Sequence, residues 1–148
     1  MANWYGAART NYFSVTDEAR YNVLFNGLYC EGGVSDFTKK ENDKILHGFG
    51  AYGDIEYYPD VDSNGFVRGS DEYEDCSNIN MFARELAKIL CPENTFILET
   101  VGNEKLRYLT ACFVLVFPGE EPIWRDMNAL ATSMSKRRFK NFPVELEY

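Results

Sequence analysis

The chain has 148 residues and a formal net charge of −8, from 23 acids against 15 bases, and 16% of its residues are aromatic. That length fits one domain spanning residues 1–148, whose core buries roughly 68–70% of the unfolded surface and needs no disulfide or metal. So many aromatics exclude a disordered acidic tail, and the acidity argues against a sequence-independent nucleic-acid binder or a basic membrane anchor, both of which depend on Lys and Arg.

In chain order, Asn3–Val15 reads as the start of a strand, on the β-formers Trp4, Tyr5, Tyr12, Phe13 and Val15. Thr16 is a good N-cap, with Asp17 and Glu18 in the first turn of a helix. Tyr21, Leu24, Phe25 and Leu28 mark one helical face, and Gly32-Gly33 is the expected stop. Val34–Thr38, Ile45–Ala51 and Asp54–Tyr58 read as short strands, with the polar stretch Lys39–Lys44 as a hairpin loop. Pro59–Ser70 is irregular. A second helix is expected from near Ser77 to Leu90, with Ile79, Phe82, Leu86 and Ile89 inward, and Pro92 stops it. Thr95–Val101 is a strand, Gly102-Asn103-Glu104 a turn, and Lys105–Phe117 the strand expected at the sheet centre. Pro118-Gly119 suits a chain reversal. Glu121–Met127 reads as a last strand, with Asn128 capping a short helix to Arg138 whose final turn carries Lys136, Arg137 and Arg138. These elements make an α+β fold with a mainly antiparallel sheet and about three α-helices.

The charge is uneven. Residues 1–53 hold six acids and five bases, and residues 76–148 hold nine of each. Residues 54–75 hold eight acids and one base, so this segment carries nearly all of the net charge. Such a segment faces water, a cation or a basic partner. As a partner surface, it would use Asp54, Glu56, Tyr58, Asp60, Asp62, Asp71, Glu72, Tyr73, Glu74 and Asp75. Tyr57, Tyr58, Phe66 and Tyr73 lie among the acids and would serve as apolar anchors.

As a cation site, Asp60–Asp71 fits D-x-D-x-N-G, with oxygen ligands at Asp60, Asp62 and Asn64 and a turn glycine at Gly65. Asp71 stands where an EF-hand loop uses the longer Glu, and Pro59 is a poor end for an entering helix. The expectation is therefore Ca²⁺ binding without a full EF-hand, as an alternative to the protein-binding reading.

Other motifs carry less. Gly48–Gly53 matches G-x-G-x-x-G, but the dinucleotide motif needs a helix to follow, and Asp54–Tyr58 is strand-like and acidic. Glycines on a closely approached strand account for it better. His47 is the only histidine, read as structural rather than catalytic. Asp54 and Glu56 share a strand face at period two, read as a solvated pair. Cys30, Cys76, Cys91 and Cys112 include no C-x-x-C pair and read as buried thiols. The basic run Lys136–Lys140 reads as a solvated helix end. Met1–Tyr5 has neither the basic nor the apolar region of a secretory signal, and the longest apolar run, Ala111–Phe117, is too short to span a membrane. The expected location is the cytoplasm.

The blocks Trp4–Phe13 (WYGAARTNYF), Thr16–Glu18, Asp36–Thr38, His47–Gly50 and Gly102–Thr110 resemble a group of small acidic accessory proteins of bacteriophages and other mobile elements. The likeness covers most of residues 3–110. It implies a non-enzymatic anti-defence role, such as an anti-CRISPR or anti-restriction inhibitor in the host cytoplasm. The partner would be a host defence protein with a basic nucleic-acid groove, met by residues 54–75 as a partial DNA mimic. Neither nucleic acid nor membrane is bound directly, and a homodimer is compatible with the aromatic content. A third reading is sequestration of a signal nucleotide near Lys105, Arg107 and Lys136–Lys140.

Overall fold

The computed structural model describes residues 4–59, 78–104 and 108–138. In chain order, β1 (Trp4–Thr10) leads to α1 (Glu18–Asn26). Six short strands follow: β2 (Leu28–Tyr29), β3 (Ser35–Asp36), β4 (Lys39–Glu41), β5 (Lys44–Leu46), β6 (Phe49–Ala51) and β7 (Glu56–Tyr57). Then come α2 (Asn78–Ala87), β8 (Phe96–Glu104), β9 (Tyr108–Val116), β10 (Ile123–Asp126) and α3 (Met127–Arg138). Six strands form the main sheet in the order β10-β9-β8-β1-β6-β3, every neighbouring pair antiparallel. The fold is α+β, with three helices among the described residues, as the sequence pattern predicts.

The register puts Ala8, Phe96, Leu98, Val114 and Val116 on one face of the sheet, and all five are buried. There Phe13, Phe49, Phe82 and Phe96 form a fully buried cluster. Phe13 meets Phe96 at 5.1 Å between centroids and Phe49 meets Phe82 at 5.8 Å, both nearly perpendicular. Edge-to-face pairs of this kind add about 0.5–1.5 kcal/mol each beyond their buried area. Phe82, Ala83, Leu86 and Ala87 of α2 and Tyr21 and Leu24 of α1 complete this core. Tyr5, Val101 and Leu109 lie on the other face, exposed around an open groove of about 410 Å³.

Several expected boundaries move, each for a local reason. Thr16 is not the cap of α1, because its N–H and hydroxyl both donate to the Ile89 carbonyl. Asp17 caps instead, accepting from the Arg20 N–H at 2.9 Å. The helix stops at Gly27 rather than Gly32-Gly33, so Leu28 leaves the helical face and pairs with Tyr57 in β2. A Cβ at Gly27 would lie 2.6 Å from the Tyr57 ring and 2.7 Å from the Tyr58 carbonyl, so only glycine lets β7 seat here. The stretch Lys39–Lys44 is not a loop but most of a second hairpin, β4–β5, turning at Asn42-Asp43. Both turn residues have positive φ, which Asn and Asp tolerate.

Gly102-Asn103-Glu104 is strand rather than turn, since β1 and β9 pair with it from both sides. β9 lies one strand in from an edge, and β8 with β1 holds the centre. The apolar run of β9 reflects α2 and α3, both of which pack on it. Asp126, not Asn128, caps α3, accepting from the Ala129 N–H at 2.9 Å. Among the described residues, no helix is long and apolar enough to cross a membrane.

Candidate acidic and aromatic docking face

The two-residue ribbon β2–β7 sets Tyr29 opposite Glu56. Along 54–57 the chain alternates: Asp54 and Glu56 are exposed while Ile55 and Tyr57 are buried, as the period-two pattern predicts. The Tyr58 hydroxyl donates to the Glu56 carboxylate, and its ring stands edge-on to Tyr29 at 6.0 Å. That hydrogen bond, more than burial, holds the Tyr58 phenol above its ordinary titration range.

Cys30 lies under this patch and ties its parts together. Its Sγ is 3.4 Å from the Glu31 carbonyl and 3.9 Å from the Tyr52 carbonyl. A Cβ at Gly53 would come within 3.0 Å of that sulfur. Burial raises the Cys30 thiol above its usual range, and the nearby charges of Asp54, Glu56 and Glu31 raise it further. Above it, Tyr52 is 95% exposed and Tyr29 is 53% exposed. The face therefore combines three carboxylates, Glu31, Asp54 and Glu56, with Tyr29, Tyr52 and the half-buried Tyr58. Carboxylates attract a cationic surface, and exposed tyrosines supply rigid contact area at small entropic cost.

Of the residues expected in this site, Asp54, Glu56 and Tyr58 come together here. Asp60, Asp62, Asn64, Asp71, Glu72, Tyr73, Glu74 and Asp75, the Ca²⁺ loop included, lie outside the described residues. Tyr29, Tyr52 and Glu31 escape sequence reading because they sit more than twenty residues from most of the acidic cluster or outside any periodic strand. Only the β2–β7 pairing and the packing around Cys30 bring them in.

Comparison with protein-family models, curated proteins and solved structures finds no match to this chain.

His47 anchors a second polar group. It is buried, its ring centroid 4.0 Å from that of Tyr21. Nε2 lies 2.7 Å from a Glu18 carboxylate oxygen and Nδ1 lies 3.3 Å from the Thr38 hydroxyl. The Thr38 N–H and hydroxyl both donate to Asp36. Through Glu18, His47, Thr38 and Asp36 the arrangement joins α1 to the β3–β6 region. The Gly48–Gly53 motif opens no helix and includes β6, where a Cβ at Gly50 would sit 2.8 Å from the Ala8 carbonyl. Cys30, Cys91 and Cys112 are free thiols, the first buried and the other two partly exposed, while Cys76 lies outside the described residues. Among the described residues, no three His, Cys, Asp or Glu side chains are grouped to hold a metal.

Proposed function

We propose that this is an interaction protein that places an acidic, tyrosine-bearing face against a basic groove of a nucleic-acid-handling partner. The observation that carries the reading is the exposed pair Tyr29 and Glu56 on the β2–β7 ribbon, with exposed Tyr52 and Asp54 just before β7, where the acidic segment 54–75 begins. Carboxylates next to phosphate-binding cations would occupy the groove as a partial DNA mimic, and complementary charge favours fast, selective association. The resemblance of the quoted blocks to phage and mobile-element accessory proteins favours a host defence protein as the partner, and an anti-CRISPR or anti-restriction inhibitor as the role.

Affinity capture from a host lysate, with and without added duplex DNA, tests the reading. The expected partner is a basic nuclease-type protein that DNA competes off. Less of it is captured when Tyr29 and Tyr52 are both replaced by Ala. A captured protein indifferent to added DNA and to those substitutions would contradict it.

A further inference from the structure

Tyr29, Glu56 and Tyr58 meet at one corner of the docking face. Tyr29 and Glu56 are paired directly across the β2–β7 ribbon, so their side chains leave the same side of it. The rings of Tyr29 and Tyr58 lie 6.0 Å apart at 68°, two walls set close to a right angle. The Glu56 carboxylate stands beside them and accepts from the Tyr58 hydroxyl. Tyr29 and Glu56 are both exposed, so the corner opens to solvent. Its walls are fixed before any ligand arrives: the Tyr58 N–H donates to the Gly27 carbonyl at 2.8 Å, and strand pairing holds Tyr29. Elsewhere in the molecule exposed rings already carry cations. The Arg9 guanidinium lies 4.9 Å from the Phe37 centroid, and the Lys39 ammonium lies 4.1 Å from the Tyr12 centroid. Among the described residues, no cation lies over Tyr29 or Tyr58 and none pairs with Glu56.

We propose that this corner takes one arginine side chain of a partner protein. The inference rests on the docking-face reading and names what that face grips. Aromatic faces attract a cation through their negative quadrupoles, and Glu56 adds a full negative charge. Tyr58 engages Oε2 of Glu56, which leaves Oε1 to accept from a ligand. Geometry selects guanidinium over ammonium. A planar guanidinium stacks flat on a ring while its N–H edge donates to a carboxylate. A lysine ammonium is a compact, strongly hydrated point charge with no plane to stack. Arginine in a nucleic-acid groove meets phosphate through the same N–H edge, so Glu56 stands in for a phosphate while the tyrosines hold the plane.

NMR titration of the full chain with two peptides of equal charge tests this: acetyl-Gly-Arg-Gly amide and its lysine counterpart. The arginine peptide should shift the ring resonances of Tyr29 and Tyr58 and bind about two- to fivefold more tightly than the lysine peptide. Tyr29→Leu should abolish that preference and leave the weaker attraction of charge, and Glu56→Gln should weaken both peptides. Amide spectra unchanged away from the ribbon show that each variant folds. If Tyr29→Leu disturbs the ribbon, the wild-type preference decides alone. Equal affinity for the two peptides overturns the inference, as do shifts that avoid Tyr29 and Tyr58, or an arginine preference that survives Tyr29→Leu. Such a failure leaves charge-driven docking intact. A captured partner indifferent to DNA ends the docking reading instead and leaves the peptide preference standing.

Discussion

α2 and α3 are similar in length, ten residues against twelve, yet their side chains go to opposite places. α2 buries Phe82, Ala83, Leu86 and Ala87, and Phe82 lies within 6.0 Å, centroid to centroid, of Phe49, Tyr57 and Phe96. α3 turns its methionines outward. The tyrosines divide in the same way, Tyr21 and Tyr57 inside, Tyr29 and Tyr52 outside. Apolar content alone does not separate the residues that hold this fold from those offered to a partner. Direction relative to the sheet does.

The largest effect should come from the inward helix. Phe82→Ala should cost about 3–5 kcal/mol in denaturant unfolding, by lost transfer energy and a cavity among three rings. Met134→Glu on the outward helix should stay within about 0.5 kcal/mol. Equal costs would erase the distinction. Next is Gly27→Ala, where the new methyl meets the Tyr57 ring and the Tyr58 carbonyl. A cost of about 1–3 kcal/mol is expected, together with displacement of the β2–β7 ribbon, visible as shifted tyrosine resonances.

Tyr21 provides a smaller, inverse effect. Its hydroxyl is buried with no hydrogen-bond partner among the described residues, and burial drives its titration far upward, helped by Asp36 and Glu18. Tyr21→Phe should therefore be neutral or stabilising by up to about 1 kcal/mol; a clear loss of stability would show that the hydroxyl has a partner. Smallest is the pH response of the docking face. Because the Tyr58 phenol is raised in the fold by Glu56, its contribution is whole below the ordinary tyrosine range, near pH 10. It is lost as pH rises through the folded value. Glu56→Gln should move the Tyr58 phenolate absorbance transition downward, toward the ordinary range.

The sequence shows most of the inward half of the molecule, because burial leaves a period. Phe82 and Leu86 recur at helical spacing, Phe96 and Leu98 alternate, and Asp54 and Glu56 alternate with Ile55 and Tyr57. What it hides depends on contacts distant along the chain. Thr16 loses its capping role to the Ile89 carbonyl, and Leu28 leaves the helix because Tyr57 pairs with it. The docking face is half visible for the same reason. Its acids form a run, but Tyr29 and Tyr52 join them only through a two-residue ribbon and a buried cysteine, neither of which leaves a pattern in the sequence.

In the proposed function the outward face binds through charge, with tyrosines adding contact. The most direct measurement is the Kd of the captured partner over a series of salt concentrations, for the wild-type chain and for Asp54→Asn/Glu56→Gln. Binding should weaken steeply as salt rises, the double variant should bind more weakly with a shallower slope, and Tyr29→Ala/Tyr52→Ala should lower affinity without changing the slope. An affinity that is flat in salt and untouched by the loss of both carboxylates would contradict it.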